Sequence, residues 1–258
     1  MSDRGLGHEP LLQRLNVRRE LRRLAQDPMR EVLDAVQPDR TVLLQDAAVR
    51  YEEAYHCFYL SLKRYLPAMS LAIRWHNGPR WALRYWQKYT PAERKLADRY
   101  NRVAPYLELD FYTCLLWARI LLDRTIALSR YFIHEPELPS FTSFNQHRKF
   151  FLRRSTPYGE HEKYAAYFRD KTGWFEEPLK LARDKFVVHA SPAHGKVLGF
   201  PGAGHELSLA IFIAEDPEKP LGKVRVLHVG IPQLADEVNE FLRWYADYAQ
   251  AALRRAGD

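Results

Sequence analysis

The sequence predicts a mainly α-helical bundle with a small β-hairpin insertion before a C-terminal helix. Three observations carry that expectation. Up to about Pro201 glycine is scarce and apolar residues recur three or four positions apart, the spacing that lays one apolar stripe along a helix. From about residue 192 to 231 the texture changes, and two β-rich runs, "HELSLAIFIA" and "KVRVLHVG", are separated by the turn-rich "EDPEKPLG". After Pro232, the residues Leu234, Val238, Phe241, Tyr245, Tyr248 and Ala252 alternate at spacings of four and three, so the chain closes on a helix that packs against others.

Composition sets the broad class. A chain of 258 residues can bury a substantial core, and 47% apolar with 28% charged residues argues against bulk disorder. No uncharged run is long enough to span a bilayer, and "MSDRGLGHEPLLQRLNVRRE" has no apolar core leading to a small-residue cleavage site, so the expected compartment is the cytoplasm with no membrane partner. Cys57 and Cys114 are too few for a disulfide framework or a thiolate metal site and read as small core hydrophobes. The formal charge of +7, with 28 arginines against 11 lysines, favours an anionic partner, because guanidinium grips phosphate with a planar fork. Nucleic acid leads that class.

Taken in order, the helical part is punctuated at Pro38, Pro67, Asn77 to Pro79, Pro91, Pro105 and Glu135 to Ser140. The chain is read as an N-terminal helical region, 1–102, followed by a second helical domain, 103–258. In "TPAE", Thr90 can cap a helix, Pro91 suits its first position and Glu93 completes a capping box, which predicts a helix over about 91–104. Leu107 to Phe132 is apolar on nearly all sides and reads as the core helix of the second half. Arg119, Asp123 and Arg130 form a polar stripe on it, read as an exposed edge with an Arg119–Asp123 pair. "GKVLGFPGAG" reads as a flexible loop.

Two basic stretches are candidates for RNA contact. From Arg74 to Arg102 eight basic residues stand against two acids, interleaved with Trp75, Trp81, Tyr85, Trp86, Tyr89 and Tyr100. Cations on phosphates with aromatics on bases is the chemistry of single-strand binding; an amphipathic hairpin with aromatics inside and cations in water fits the same spacing. The second stretch, "FNQHRKFFLRRS", is either a phosphate-facing helix or a solvated one. The candidate RNA-binding residues are Arg74, Arg80, Arg84, Lys88, Arg148, Lys149, Arg153 and Arg154.

The segment "FEEPLKLARDKFVVHASP" carries the candidate chemistry. Pro178 suits a helix's first turn, and Phe175, Leu179, Ala182 and Phe186 form its buried stripe. Arg183 and His189 lie about 60° either side of Phe186 on a helical wheel, so both flank that stripe. Ser191 precedes a proline, which ends the helix near Ala190 and leaves His189 in its last turn. A histidine exchanging a proton near neutrality beside a permanently charged arginine is sufficient for metal-free RNA cleavage. Arg50/His56 and Arg154/His161 have comparable spacing, but the first pair sits deep inside a long helix and the second spans "STPYG", a helix-disrupting turn.

In "RDKFVVH", Arg183 to His189, the chain resembles the HEPN superfamily: helical bundles, many of them ribonucleases, marked by an arginine, four to six residues and a histidine. Asp184 after the arginine, the break at Pro192 and the terminal helix match that pattern over roughly 103–258. The resemblance implies a cofactor-free, metal-independent endoribonuclease with His189 as general acid/base, Arg183 as phosphate stabiliser and Asp184 orienting them. It also implies a homodimer with two motif copies facing across a cleft, an RNA end carrying a 2′,3′-cyclic phosphate, and a defence or toxin–antitoxin setting with an antitoxin partner. The first hundred residues and the hairpin insertion depart from the family pattern. The same scaffold also suits a non-catalytic nucleic-acid-binding or protein-interaction module.

Other chemistries are disfavoured. His189, His194 and His205 lack accompanying cysteines and carboxylates for zinc, "GFPGAG" lacks the lysine and setting of a phosphate loop, and no G-x-S-x-G elbow occurs.

Overall fold

A computed structural model of the chain describes residues 17–35, 42–77, 89–132, 139–152, 162–180, 194–199, 208–214 and 224–257. Two short helices, α1 (Val17–Leu24) and α2 (Arg30–Ala35), precede a pair of long ones, α3 (Val42–Asn77) and α4 (Pro91–Ala127). After them come α5 (Ser129–Phe132), α6 (Phe144–Leu152), α7 (Glu162–Lys171) and a π-helical turn (Phe175–Lys180). Strands β1 (His194–Gly199), β2 (Ser208–Ala214) and β3 (Val224–Gly230) then lead into α8 (Ile231–Gly257). The mainly helical class with a β insertion before the last helix is therefore what the chain adopts.

The long pair forms an antiparallel hairpin whose register is fixed by three contacts. Arg64 pairs with Asp110 at 2.7 Å, Tyr65 meets Phe111 edge-on at 6.0 Å, and Trp75 stacks on Tyr100 at 5.7 Å. Its second helix starts where the capping box predicts. The Thr90 hydroxyl accepts from the Glu93 N–H at 3.3 Å, and the Thr90 N–H donates to the Glu93 carboxylate at 2.7 Å. Thr90→Ala is expected to lower stability by about 1 kcal/mol, read from the denaturant midpoint. An unshifted midpoint would mean that the box contributes nothing.

Pro67 and Pro105, expected as breaks, lie inside α3 and α4. An interior proline costs about 3 kcal/mol of helix propensity, but both rings are exposed here, while Tyr65, Leu66, Met69, Leu107 and Phe111 beside them are buried in the core. Tertiary packing of two long helices outweighs the local penalty. In consequence α4 passes straight through residue 103, and one core cluster takes in residues from Leu24 to Ala252, on both sides of the expected domain boundary.

The insertion is larger than a hairpin. β2 and β3 pair antiparallel from Ser208↔Gly230 to Ala214↔Val224, as the two β-rich runs predict. The start of the expected flexible loop is instead β1, antiparallel to β2 with Gly199 opposite Ser208 and His194 opposite Ile213. The short "KVL" between two glycines is a weak strand signal by itself; pairing with β2 supplies the order. Leu209, Ile211 and Val229 are buried and join the helical core, so the sheet is docked by one face.

The Arg119–Asp123 pair forms, at 3.1 Å, but not on an exposed edge: the Arg119 side chain is only 5% exposed. Its guanidinium carbon lies 4.5 Å from the centre of the Phe175 ring, and Asp123 also accepts the Phe144 N–H at 2.7 Å, joining α4 to the start of α6. The terminal helix buries Leu234, Val238, Phe241, Tyr245 and Ala252, as its spacing predicts, with Tyr248 half-buried. Cys114 is buried and its thiol is pushed up to about 12 by desolvation, whereas Cys57 is only half-buried.

Candidate nucleic-acid site

The motif segment follows directly on the π-helical turn, and the residues that anchor this turn are well defined. Phe175 and Leu179 are fully buried, as the spacing of the stripe predicts. Phe175 packs on Phe144 of α6 at 4.5 Å, and Phe144 in turn meets Phe241 of α8 at 5.1 Å and Phe168 of α7 at 5.7 Å. Four elements thus converge on one aromatic cluster. Arg183, Asp184 and His189 lie outside the described residues, as do Arg80, Arg84, Lys88, Arg153 and Arg154.

Arg148 and Lys149 occupy α6, which is neither a solvated nor a purely phosphate-facing helix, since Phe144, His147 and Phe151 are buried. The Arg148 Nε donates to the Thr172 hydroxyl at 3.0 Å, and a second guanidinium nitrogen reaches Glu176 at 3.3 Å. Glu176 also holds Lys180 at 2.6 Å. Arg148 is 12% exposed and thus serves as a strut between the end of α7 and the π-turn. Lys149 is exposed.

His147 shares the stripe of Phe144 and Phe151 at spacings of three and four. Its Nε2 and the Tyr164 hydroxyl are 2.7 Å apart, and Phe141, Phe151 and Phe168 surround the ring at 4.5, 4.7 and 4.9 Å. Burial holds the imidazole neutral, with its pKa well below the usual histidine range. It is a core group, remote from solvent, and unsuited to shuttle protons.

Arg74 sits at the other end of the molecule's long hairpin. There Trp75 stacks on Tyr100 and meets Tyr89 edge-on at 6.0 Å, while Arg74, Arg94, Lys95, Arg99 and Arg102 are exposed. Among the described residues, this is the arrangement with aromatics inside and cations in water. Arg74 and Arg148 therefore belong to two separate surfaces.

A groove of about 520 Å³ between α2 and α3 is lined by Asp27, Arg30, Asp34, Glu52 and His56. Asp27 accepts from the Tyr51 hydroxyl at 2.7 Å, and burial raises its pKa. With three carboxylates against one arginine, this groove repels phosphate and is no RNA site. Among the described residues no group of three or more histidines, cysteines or carboxylates could hold a metal ion, and no helix is long and apolar enough to cross a membrane. No family model, curated protein or solved structure matches the chain.

Proposed function

We propose that the chain is a HEPN-like, metal-independent endoribonuclease. His189 moves the proton of the attacking 2′-hydroxyl and returns one to the leaving 5′-oxygen; Arg183 stabilises charge at phosphorus, and Asp184 orients the pair. The product is a 2′,3′-cyclic phosphate, and two chains bring their motifs to one cleft. A defence role with an antitoxin partner suits such an activity.

The observation that carries this reading is the setting of "RDKFVVH". It follows three residues after a buried π-helical turn, a rare geometry that recurs at functional sites, and precedes the sheet and closing helix of a mainly α-helical bundle. Phe175, Leu179 and the Arg148–Glu176 strut give that turn a rigid base.

The test is incubation of the purified chain with RNA in EDTA. Wild type is expected to leave cyclic-phosphate ends, and Arg183→Ala and His189→Ala to leave the RNA intact. Cleavage at the wild-type rate by both variants, or none by wild type, rejects the enzyme. RNA binding without cleavage would instead establish the non-catalytic module.

A further inference from the structure

Eight large apolar side chains stand exposed among the described residues, and seven of them belong to α3 or α4. On α4, Tyr106, Leu109, Thr113, Leu116 and Ile120 follow one another at alternating spacings of three and four, the period of a helix seam. Leu109 is 60% exposed, Tyr106 56% and Leu116 37%, while Thr113 and Ile120 are half-buried. On α3, Leu60 and Pro67 are exposed two turns apart. The hairpin register, set by Arg64–Asp110, Tyr65–Phe111 and Trp75–Tyr100, puts Leu60 level with Leu116 and Pro67 level with Leu109.

The two rows share one face of the hairpin. α8 packs on both long helices, its Val238 and Leu242 lining one pocket with Phe58 and Leu62 of α3. Leu60 lies two positions from each of those α3 residues, and Leu109 and Leu116 two positions from the buried Phe111 and Ala118, so the exposed rows point away from the core. At about 1.5 Å per residue and about 9 Å between axes, the open face is about 50 Å by 20 Å, on the order of 1,000 Å², against about 800 Å² per partner in a stable interface. An apolar patch in the middle of such a face marks an interaction surface.

The charges on α3 decide the occupant. Before its midpoint α3 carries Asp46, Glu52 and Glu53 against Arg50; after it come Lys63, Arg64 and Arg74 and no carboxylate. Residues 91–112 of α4 hold four acids and four bases and favour neither sign. Arg50 holds Asp46 and Asp110 holds Arg64, whereas Glu52, Glu53, Lys63 and Arg74 are exposed and have no ion-pair partner among the described residues. A surface that is acidic on one side of an apolar patch and basic on the other is complementary to itself turned end for end.

We propose that this face joins two copies of the chain, hairpin against hairpin, about a two-fold axis that crosses the patch and reverses the helices. The axis sets Leu109 of one copy on Leu116 of the other, which places it between residues 112 and 113 of α4 and, by the register, near 62 and 63 of α3. Arg74 and the Glu52–Glu53 pair then stand roughly ten residues either side of the axis and meet across it, as the numbering of α3 requires. Lys63 falls beside the axis, where its long stem carries the ammonium out to water at the rim. Docking with the helices parallel would instead set Arg74 on Arg74 and Glu53 on Glu53. The inference goes beyond the ribonuclease reading and does not rest on it, since it concerns exposed residues of the hairpin alone.

The test reads mass in solution by sedimentation equilibrium. Wild type is expected to be a dimer at micromolar concentration, and Leu109→Glu with Leu116→Glu to be a monomer with an unchanged circular-dichroism spectrum, as befits exposed positions. Arg74→Glu, and separately Glu52→Arg with Glu53→Arg, should each weaken the dimer about tenfold or more, and the three changes in one chain should restore it. Leu109→Cys chain mixed with Leu116→Cys chain should give an oxidised cross-link that neither gives alone. A wild type that stays monomeric, a dimer indifferent to Leu109 and Leu116, or charge variants that weaken without restoring each overturn the proposal. So does a monomer that binds phosphatidylserine vesicles through Leu109 and Leu116. A dimer of this kind in a chain that never cuts RNA keeps the face and rejects the ribonuclease; a monomer that cuts RNA does the reverse.

Discussion

Phe144→Ala is expected to lower the unfolding free energy by about 3–5 kcal/mol, the range for deleting a fully buried phenylalanine. Phe144 has no exposed surface and is the first residue of α6, where α7, the π-turn and α8 meet. Its ring lies 4.5 Å from Phe175, 5.1 Å from Phe241 and 5.7 Å from Phe168, so truncation opens a void bordered by three rings from three elements. Those rings are held in turn, Phe175 under Arg119 and Phe168 against Tyr164 at 4.9 Å, and cannot collapse freely into the gap. The backbone bond from Phe144 N–H to Asp123 survives the change, which confines the loss to packing. Urea unfolding of wild type, Phe144→Ala and Phe144→Leu measures it, with leucine recovering part of the loss. A deficit below about 1 kcal/mol for alanine would mean that the cluster repacks and is not the rigid support assigned to the π-turn.

Local signals in this sequence were legible where one segment decides its own structure. The capping box at Thr90 and Glu93 satisfies helix-end donors within four residues, and the closing stripe from Leu234 to Ala252 needs only a period and a core. Pro67 and Pro105 lie inside helices because the packing of two helices of 36 and 37 residues, which no window of sequence displays, outweighs their local penalty. β1 is hidden for a related reason: its order comes from β2, whose paired residues lie from nine (Gly199↔Ser208) to nineteen (His194↔Ile213) positions away. Arg119 was visible as a polar residue on an all-round apolar helix, yet its burial depends on Phe175 from a distant element. For the candidate site, helix context and not spacing separates Arg183 and His189 from the other arginine–histidine pairs; of the stripe beside them Phe175 and Leu179 are buried, while Ala182, Phe186 and the pair itself lie outside the described residues.

Acid should destabilise this fold through His147 in a way that another residue can remove. The group's folded pKa lies below the unfolded value of about 6.5, because the imidazole is fully buried among rings, with the Tyr164 hydroxyl as its partner among the described residues. Above pH 6.5 neither state binds the proton and stability is at its maximum. As pH falls below that value the unfolded chain takes up a proton that the folded one refuses, so stability drops by about 1.4 kcal/mol per pH unit until the folded pKa is reached. Asp27, Asp110, Asp236 and Glu237 are shifted up by burial and act with the opposite sign, so the raw curve mixes the two. Comparison with His147→Gln isolates the histidine, because glutamine offers Tyr164 a partner but does not titrate. The stability difference, wild type minus variant, is expected to fall as the pH drops from 7 to 4.5. A difference independent of pH would show that water or a second partner reaches the imidazole, and that the aromatic cage around it opens in the native state.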